Sequence, residues 1–177
     1  MTKLRIRLVE LSDADELAAL LVASREHLEP WEPTRGDDYF TLTGQRTVIE
    51  KALTDAAREA LVPFVVIEPG GAIAGRITIS NIVRGAGQFA TLGYWIGSPF
   101  IRRGYATAAV GLAKEHAFGV LRLHRLEAGT LVHNVASQKA LLANGFERYG
   151  LAPKLVKIAG VWQDHVLYQA LTDDPTV

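Results

Sequence analysis

At 177 residues, 49% hydrophobic and 21% charged, the chain has the length of one domain and the apolar content for one sizeable core, which excludes a disordered polymer. Lysines plus arginines equal aspartates plus glutamates at 19 each, so no global field favours nucleic acid or an anionic membrane. Cysteine is absent, which excludes disulfides, cysteine metal sites and a cysteinyl intermediate; the five histidines lack ligand spacing, so no metal is expected.

In chain order, L-R-I-R-L-V at residues 4–9 alternates as a half-buried strand does. The opening M-T-K-L-R-I-R-L-V carries no signal-peptide pattern, and runs such as L-A-A-L-L-V-A are too short to cross a bilayer, so a cytoplasmic protein is expected. Ser12 and Asp13 offer an N-cap to a helix whose apolar positions include Leu17, Leu20, Leu21 and Leu28. Residues 28–40 contain two prolines and a glycine and read as a loop, unusually rich in aromatics, before a polar helix over about residues 43–60. Strands follow at 62–68, 72–82 and 88–96, separated by the turns P-G-G and R-G-A-G. Alternation puts Ile77 and Ile79 on one face.

A helix over about 104–119 collects Ala106, Ala109, Val110, Ala113 and Ala117 on one side, small residues that let its axis approach a sheet closely. Another strand reads at 124–131, then a helix from Asn134 to about Asn144 that stops at Gly145, and a hairpin turning at Ala159–Gly160. This β-α-α-β-β-β-α-β-α-β-β order predicts a single domain over residues 1–177, a mixed sheet covered by helices.

The stretch Ile96–Thr107, I-G-S-P-F-I-R-R-G-Y-A-T, joins the strand L-G-Y-W-I to the small-residue helix. A helix start after such a loop presents unpaired N–H groups and the positive end of its dipole, suited to a phosphate. Arg102 and Arg103 would add charge there, and Gly104 lets the backbone approach an anion. The simpler reading is a turn with two solvated arginines.

The order of elements, with this loop between a fourth strand and a third helix, resembles the GNAT N-acetyltransferase family. The family's pyrophosphate loop reads Gln/Arg-x-x-Gly-x-Gly/Ala. Residues 101–106, I-R-R-G-Y-A, match its Gly and Ala, with Ile101 in place of Gln or Arg. L-E-P-W-E-P-T-R (28–35), H-N-V-A-S-Q-K-A-L-L-A-N-G-F (133–146) and K-I-A-G-V-W-Q-D-H-V-L-Y (157–168) are similar to segments of the RimJ-type subfamily. RimJ- and RimL-type enzymes acetylate the N-terminal amine of ribosomal proteins with acetyl-CoA. The resemblance implies an α/β fold of the α+β type, its mostly antiparallel sheet of about seven strands splayed between strands 4 and 5 and flanked by about four helices.

It also implies roles. Backbone at Arg102, Arg103, Gly104, Tyr105, Ala106 and Thr107 would cradle the CoA pyrophosphate, while the main chain of Ile96 and the side chain of Asn134 would bond the pantetheine arm. Locally, Ile96 also fits a core position and Asn134 an ordinary N-cap. Ser137, one helical turn on, would lie near the sulfur and protonate the departing thiolate. Trp31, Glu32, Arg35, Tyr39 and Tyr94 are expected at the acceptor site, with Glu32 anchoring the amine or relaying its proton. Tyr94, Trp95, Trp162, Asp164, His165 and Tyr168 are expected to mix packing with support of that site.

Without cysteine, direct attack of an amine on the thioester is the simplest route. An α-amine, with a pKa of about 7.7–8.0, is partly neutral at physiological pH, whereas a lysine amine near about 10.4 needs more help. The expected function is therefore acetyl-CoA-dependent N-acetylation of a protein N-terminus by a monomer or homodimer, with no nucleic-acid or membrane partner. The alternatives are acetylation of a small-molecule amine, and acyl-CoA binding without turnover. An open, partly acidic cleft would favour a peptide, and a closed aromatic pocket a small ligand.

Overall fold

The computed structural model describes residues 3–172. Its elements are β1 (Arg5–Leu8), α1 (Ala14–Ala23), α2 (Arg25–Leu28), α3 (Leu42–Ala57), β2 (Leu61–Ile67), β3 (Ile73–Val83), β4 (Phe89–Ile96), α4 (Tyr105–Gly119), β5 (Arg125–Leu131), α5 (Val135–Leu142), β6 (Glu147–Ile158) and β7 (Val161–Leu171). The strands form one seven-stranded sheet in the order β1-β2-β3-β4-β5-β7-β6. Every neighbouring pair is antiparallel except β4 and β5, which run parallel. This is the mixed, mostly antiparallel architecture expected from the sequence. The described residues form five helices rather than about four, because the backbone departs from α geometry at Ser24 (φ −109°, ψ 3°) and sets off the single turn α2. Among the described residues, no helix is long and apolar enough to cross a membrane.

The sheet buries both faces. On one, Phe64, Val66, Ile77, Ile79 and Leu92 meet Ala109, Val110, Ala113 and Ala117 of α4, where the alanines permit close helix–sheet approach. On the other, Val65, Ile67 and Ile73 pack with Leu17 and Leu20 of α1 and Ile49 of α3. Strand β2 thus alternates between two cores, and its run F-V-V-I is apolar on both faces.

Asp13 does not cap α1 with its side chain. Its carboxylate accepts two hydrogen bonds from Arg7 of β1, at 2.8 and 2.7 Å, and one from the Glu10 amide at 2.8 Å. Burial pushes the Asp13 carboxyl up, but the Arg7 hydrogen bonds, the Glu10 amide and the charges of Arg7 and Arg76 together hold it below its ordinary value. A depressed carboxyl stabilises the fold above its unfolded pKa of about 3.9, and that contribution disappears as pH falls through the lower folded value. Asp13→Ala is expected to cost about 2–3 kcal/mol at pH 7, since Arg7 stays partly accessible to water. Urea titrations at neutral and acid pH should show the gap from wild type narrowing below about pH 4.

The loop expected at 28–40 contains two 3-10 turns, Glu29–Trp31 and Asp37–Phe40. It is held at several points. Arg25 pairs with Asp37 at 2.8 Å, the buried Gln45 donates to the Tyr39 carbonyl at 2.5 Å, and the Ala159 amide donates to the Glu32 carbonyl at 3.0 Å. That last bond comes from the tip of the β6–β7 hairpin, whose two turn residues, Ala159 (φ 46°) and Gly160 (φ 81°), both adopt the left-handed backbone that a tight hairpin needs. The terminal hairpin thereby braces the aromatic segment over the sheet.

Candidate active site

Strands β4 and β5 pair only over Phe89–Thr91 and Arg125–Glu127. Beyond Thr91 they diverge and leave a gap in the middle of the sheet. Along the β3–β4 ladder the Gly97 amide donates to the Ala74 carbonyl at 2.8 Å. Antiparallel alternation therefore turns the N–H and C=O groups of Leu92, Tyr94 and Ile96 away from β3 and toward the gap. The Ile96 side chain is buried in the core, so the same residue packs the interior and offers its main chain to the opening.

At the end of the gap the chain turns through residues 97–104. Ser98 fixes this turn to the end of α1: its amide donates to Ser24 Oγ and its hydroxyl to the Ala23 carbonyl, both at 2.9 Å. Arg102 (φ 60°) and Gly104 (φ 75°) lie in the left-handed region, which makes glycine the favoured residue at the helix entry. Helix α4 then starts at Tyr105 with no side-chain cap, so its first-turn amides point outward from a concave backbone, a shape suited to an anion. Arg102 and Arg103 are exposed beside it, and the Arg103 guanidinium lies 5.6 Å from the Phe100 ring centre. Ile101 brings no polar group to the turn; its side chain is partly exposed.

One wall of the gap is the start of α5. Asn134 Oδ1 accepts from the Ser137 amide at 3.1 Å, so Asn134 is an N-cap as its local sequence suggests. The Tyr94 hydroxyl reaches across from β4 to lie 2.9 Å from Ser137 Oγ and 3.2 Å from the Ser137 carbonyl. Burial pushes the Tyr94 phenol up to about 12, the hydrogen bond to Ser137 opposing only in part, so it stays protonated and able to donate at neutral pH. These groups border a cavity of about 180 Å³ together with Trp31, Glu32 and Gly93. The Trp31 ring centre lies 5.5 Å from that of His133.

A second cavity of about 360 Å³ lies on the α1/α3 side and shares Glu32, Gly93, Tyr94 and Trp95 with the first. Glu32, Arg35, Tyr39 and Tyr94, expected at one site, do meet around it. Burial pushes the Glu32 carboxyl up, although the charges of Arg35 and Arg76 pull the other way. Tyr39 is raised too, by burial and then by the nearby Glu32 charge, and the Arg35 guanidinium lies 4.7 Å from its ring centre. One carboxylate against two guanidiniums makes this cleft basic, not the partly acidic groove expected for a peptide.

Four residues of this cavity escaped the sequence reading, Val48, Arg76, Thr78 and Gly93, and two of them shape it most. Arg76 of β3 faces the cavity opposite Trp95, with its Nε buried and unbonded. Gly93 pairs with Thr78 in the middle of β4, and a β-carbon there would have no atom within 4 Å. Gly93 lines both cavities, and its missing side chain leaves the space beside it open. Gly93→Val is expected to leave thermal stability unchanged and to raise the acceptor KM about tenfold or more, by filling that space. Steady-state kinetics beside a melting curve checks both halves.

Of His165, Tyr168, Asp164 and Trp162, all expected to support the site, His165 alone lines one of these two cavities. Buried His165 borders the first cavity, with Nδ1 3.0 Å from the Gln163 carbonyl. Tyr168 OH donates to Gln138 Oε1 at 3.3 Å, and Asp164 accepts from the Lys154 amide at 2.8 Å, where β6 bulges. Trp162 lies exposed on the hairpin.

Comparison with known proteins agrees with this geometry. The family model "Acetyltransferase (GNAT) domain" matches residues 3–147. The chain is 35% identical over 170 residues to a probable N-acetyltransferase, YjcK, of Bacillus subtilis (strain 168), covering 96% of this chain and 94% of that protein. It is 31% identical over 175 residues to the [ribosomal protein uS5]-alanine N-acetyltransferase of Escherichia coli (strain K12), covering 98% and 90%. Mycobacterium smegmatis RimJ, solved in complex with CoA-disulfide, superposes with a TM-score of 0.92 at 32% identity over 98% of this chain and 84% of that one. A matched domain spanning most of the chain, and a sheet opened between its fourth and fifth strands, make it a member of the GNAT acetyltransferase family, an N-acetyltransferase.

Proposed function

We propose that the protein transfers the acetyl group of acetyl-CoA directly to the α-amine of a protein N-terminus, that of a ribosomal protein in the cytoplasm. The observation that carries this reading is the β4–β5 gap, with the uncapped start of α4 at its end and the Tyr94–Ser137 pair on its wall. The amides from Arg103 to Thr107 hold the pyrophosphate, with Arg102 and Arg103 adding charge from outside. The outward main chain of Ile96 and the Asn134 amide group hold the pantetheine arm, and the Ile96 N–H polarises the thioester carbonyl. Acetyl-CoA supplies an activated acyl group with a thiolate leaving group.

The protein's own residues manage two protons. Glu32, buried enough to carry a raised pKa, receives the proton that the attacking amine loses. The Tyr94 phenol donates to the Ser137 carbonyl and lies 2.9 Å from Ser137 Oγ, whose hydroxyl supplies the proton for the departing sulfur. Trp31, Arg35 and Tyr39 form the acceptor side. The modest pKa of an α-amine, about 7.7–8.0, matches a site with one weak base. The likeness to the E. coli uS5-alanine enzyme across nearly the whole chain supports the same acceptor class. Incubation with acetyl-CoA and alanine-initiated peptides should yield Nα-acetylated products by mass spectrometry. Acetylation of small amines alone would overturn the acceptor class.

A further inference from the structure

Arg76 stands out as a charge that the chain does not satisfy. It projects from the middle of β3, between the buried residues Gly75 and Ile77, into the larger cavity. Its Nε is buried without a hydrogen-bond partner, and no described residue forms an ion pair within 4.0 Å with its guanidinium. Of the two carboxylates that influence it, Asp13 is already held by the fork of Arg7, and Glu32 is shared with Arg35. Arg76 is half-buried: its Nε is sealed from water without a partner, while the rest of the guanidinium faces the cavity, where a ligand can reach it.

The surroundings define what that ligand must carry. The guanidinium presents a planar fork of donors, matched by a carboxylate accepting two parallel hydrogen bonds. Arg35 adds a second positive charge, so the cavity has a net positive balance even with Glu32 ionised. Glu32, Gly93 and Tyr94 line both this cavity and the one beside Ser137. A chain whose terminal amine sits by Ser137 and Glu32 can therefore continue past Gly93 into the Arg76 cavity, at about 3.3–3.6 Å per extended residue.

We propose that Arg76 is a specificity residue that binds an acidic side chain of the acceptor, placed within the first few residues behind the amine that is acetylated. The inference deepens the N-terminal acetyltransferase reading and rests on it. Arg35 closes over the same carboxylate from the exposed rim, and Thr78 lies beside it on the same strand face. The basic balance of the cleft then has a physical purpose. It selects an acidic acceptor and disfavours a basic one by like-charge repulsion.

The test uses alanine-initiated peptides that differ only by glutamate or glutamine at position two, three or four, with acetyl-CoA and the full-length enzyme. At one of these positions wild type should prefer glutamate about 10- to 100-fold in kcat/KM, through KM. Arg76→Met, similar in length and uncharged, should bring that ratio to near one, and Arg76→Lys should restore part of it. Equal use of glutamate and glutamine peptides by wild type overturns the Arg76 assignment while the acceptor class stands, and it needs no variant to fold. A glutamate preference that survives in folded Arg76→Met also overturns it. The third arm offers small amines as pairs of free carboxylate and carboxamide. If peptides are not acetylated but the carboxylate amine is preferred in an Arg76-dependent way, the acceptor class falls and the assignment stands. No preference in either arm overturns the assignment.

Discussion

Ser137→Ala is expected to lower kcat about 10²–10⁴-fold, the range found for groups that move a proton in the transition state, while acetyl-CoA binding changes little. In the proposed site the pyrophosphate anchors at the start of α4, so loss of the Ser137 hydroxyl would leave that anchor intact. The Ser137 amide already satisfies Asn134 through its backbone, which alanine preserves. Tyr94→Phe tests the relay one step back. It removes the hydroxyl 2.9 Å from Ser137 Oγ but keeps the ring that packs against the core, so a smaller fall of about tenfold is expected. Stopped-flow measurement of thiol release in a single turnover separates this loss from slow product release. An unchanged rate in Ser137→Ala would remove Ser137 from the proton path and leave the thiolate to depart unassisted.

Glu32→Gln should have a comparable effect for the opposite proton, lowering kcat/KM about 10²-fold or more near neutral pH. Burial raises the pKa of this carboxyl, with Arg35 and Arg76 opposing, so its basic form accumulates at higher pH than that of an ordinary glutamate. Activity in wild type should therefore climb with pH through that raised pKa, and Glu32→Gln should lose this acid limb. Stability moves in the opposite sense. A group whose folded pKa lies above its unfolded value favours the folded state at low pH, and that contribution is lost as pH rises through the two values. Glu32→Gln should accordingly gain stability relative to wild type at neutral pH. A variant that is both slower and more stable distinguishes a catalytic carboxylate from a structural one. Arg76→Met gives a second check: removal of a nearby positive charge should move the acid limb further up.

The features legible in the sequence were those set by short-range pattern. The small residues of α4 announce a helix pressed against a sheet, Gly145 (φ 74°) ends α5, and Ala159–Gly160 turns the last hairpin. Each depends on neighbours a few positions away. The loop at Ile96–Thr107 was legible as a strand-to-helix turn for the same reason, and the fold shows its amides uncapped as that reading requires. Features that depend on register between distant strands were not legible. Arg76 reads as the polar partner in the alternation of R-I-T-I-S-N-I, which suggests a solvated face. Only the segment 29–40, braced by Ala159, turns that face into a cavity. Gly93 has meaning only beside Thr78 and Arg76, and Tyr94 finds Ser137 across 43 residues of sequence. Asp13 looks like a cap because Asp is a good one, but Arg7 on β1 offers a stronger partner.

A crystal structure with CoA and an Nα-acetylated peptide bound tests the account most directly. It should place the pyrophosphate on the amides of Arg103–Thr107, the pantetheine in the gap beside Ile96, and the sulfur next to Ser137 Oγ. The acetylated terminus should lie between Glu32 and Tyr94, with the peptide running past Gly93. CoA bound outside the β4–β5 gap, or a peptide terminus remote from Ser137 and Glu32, would contradict it.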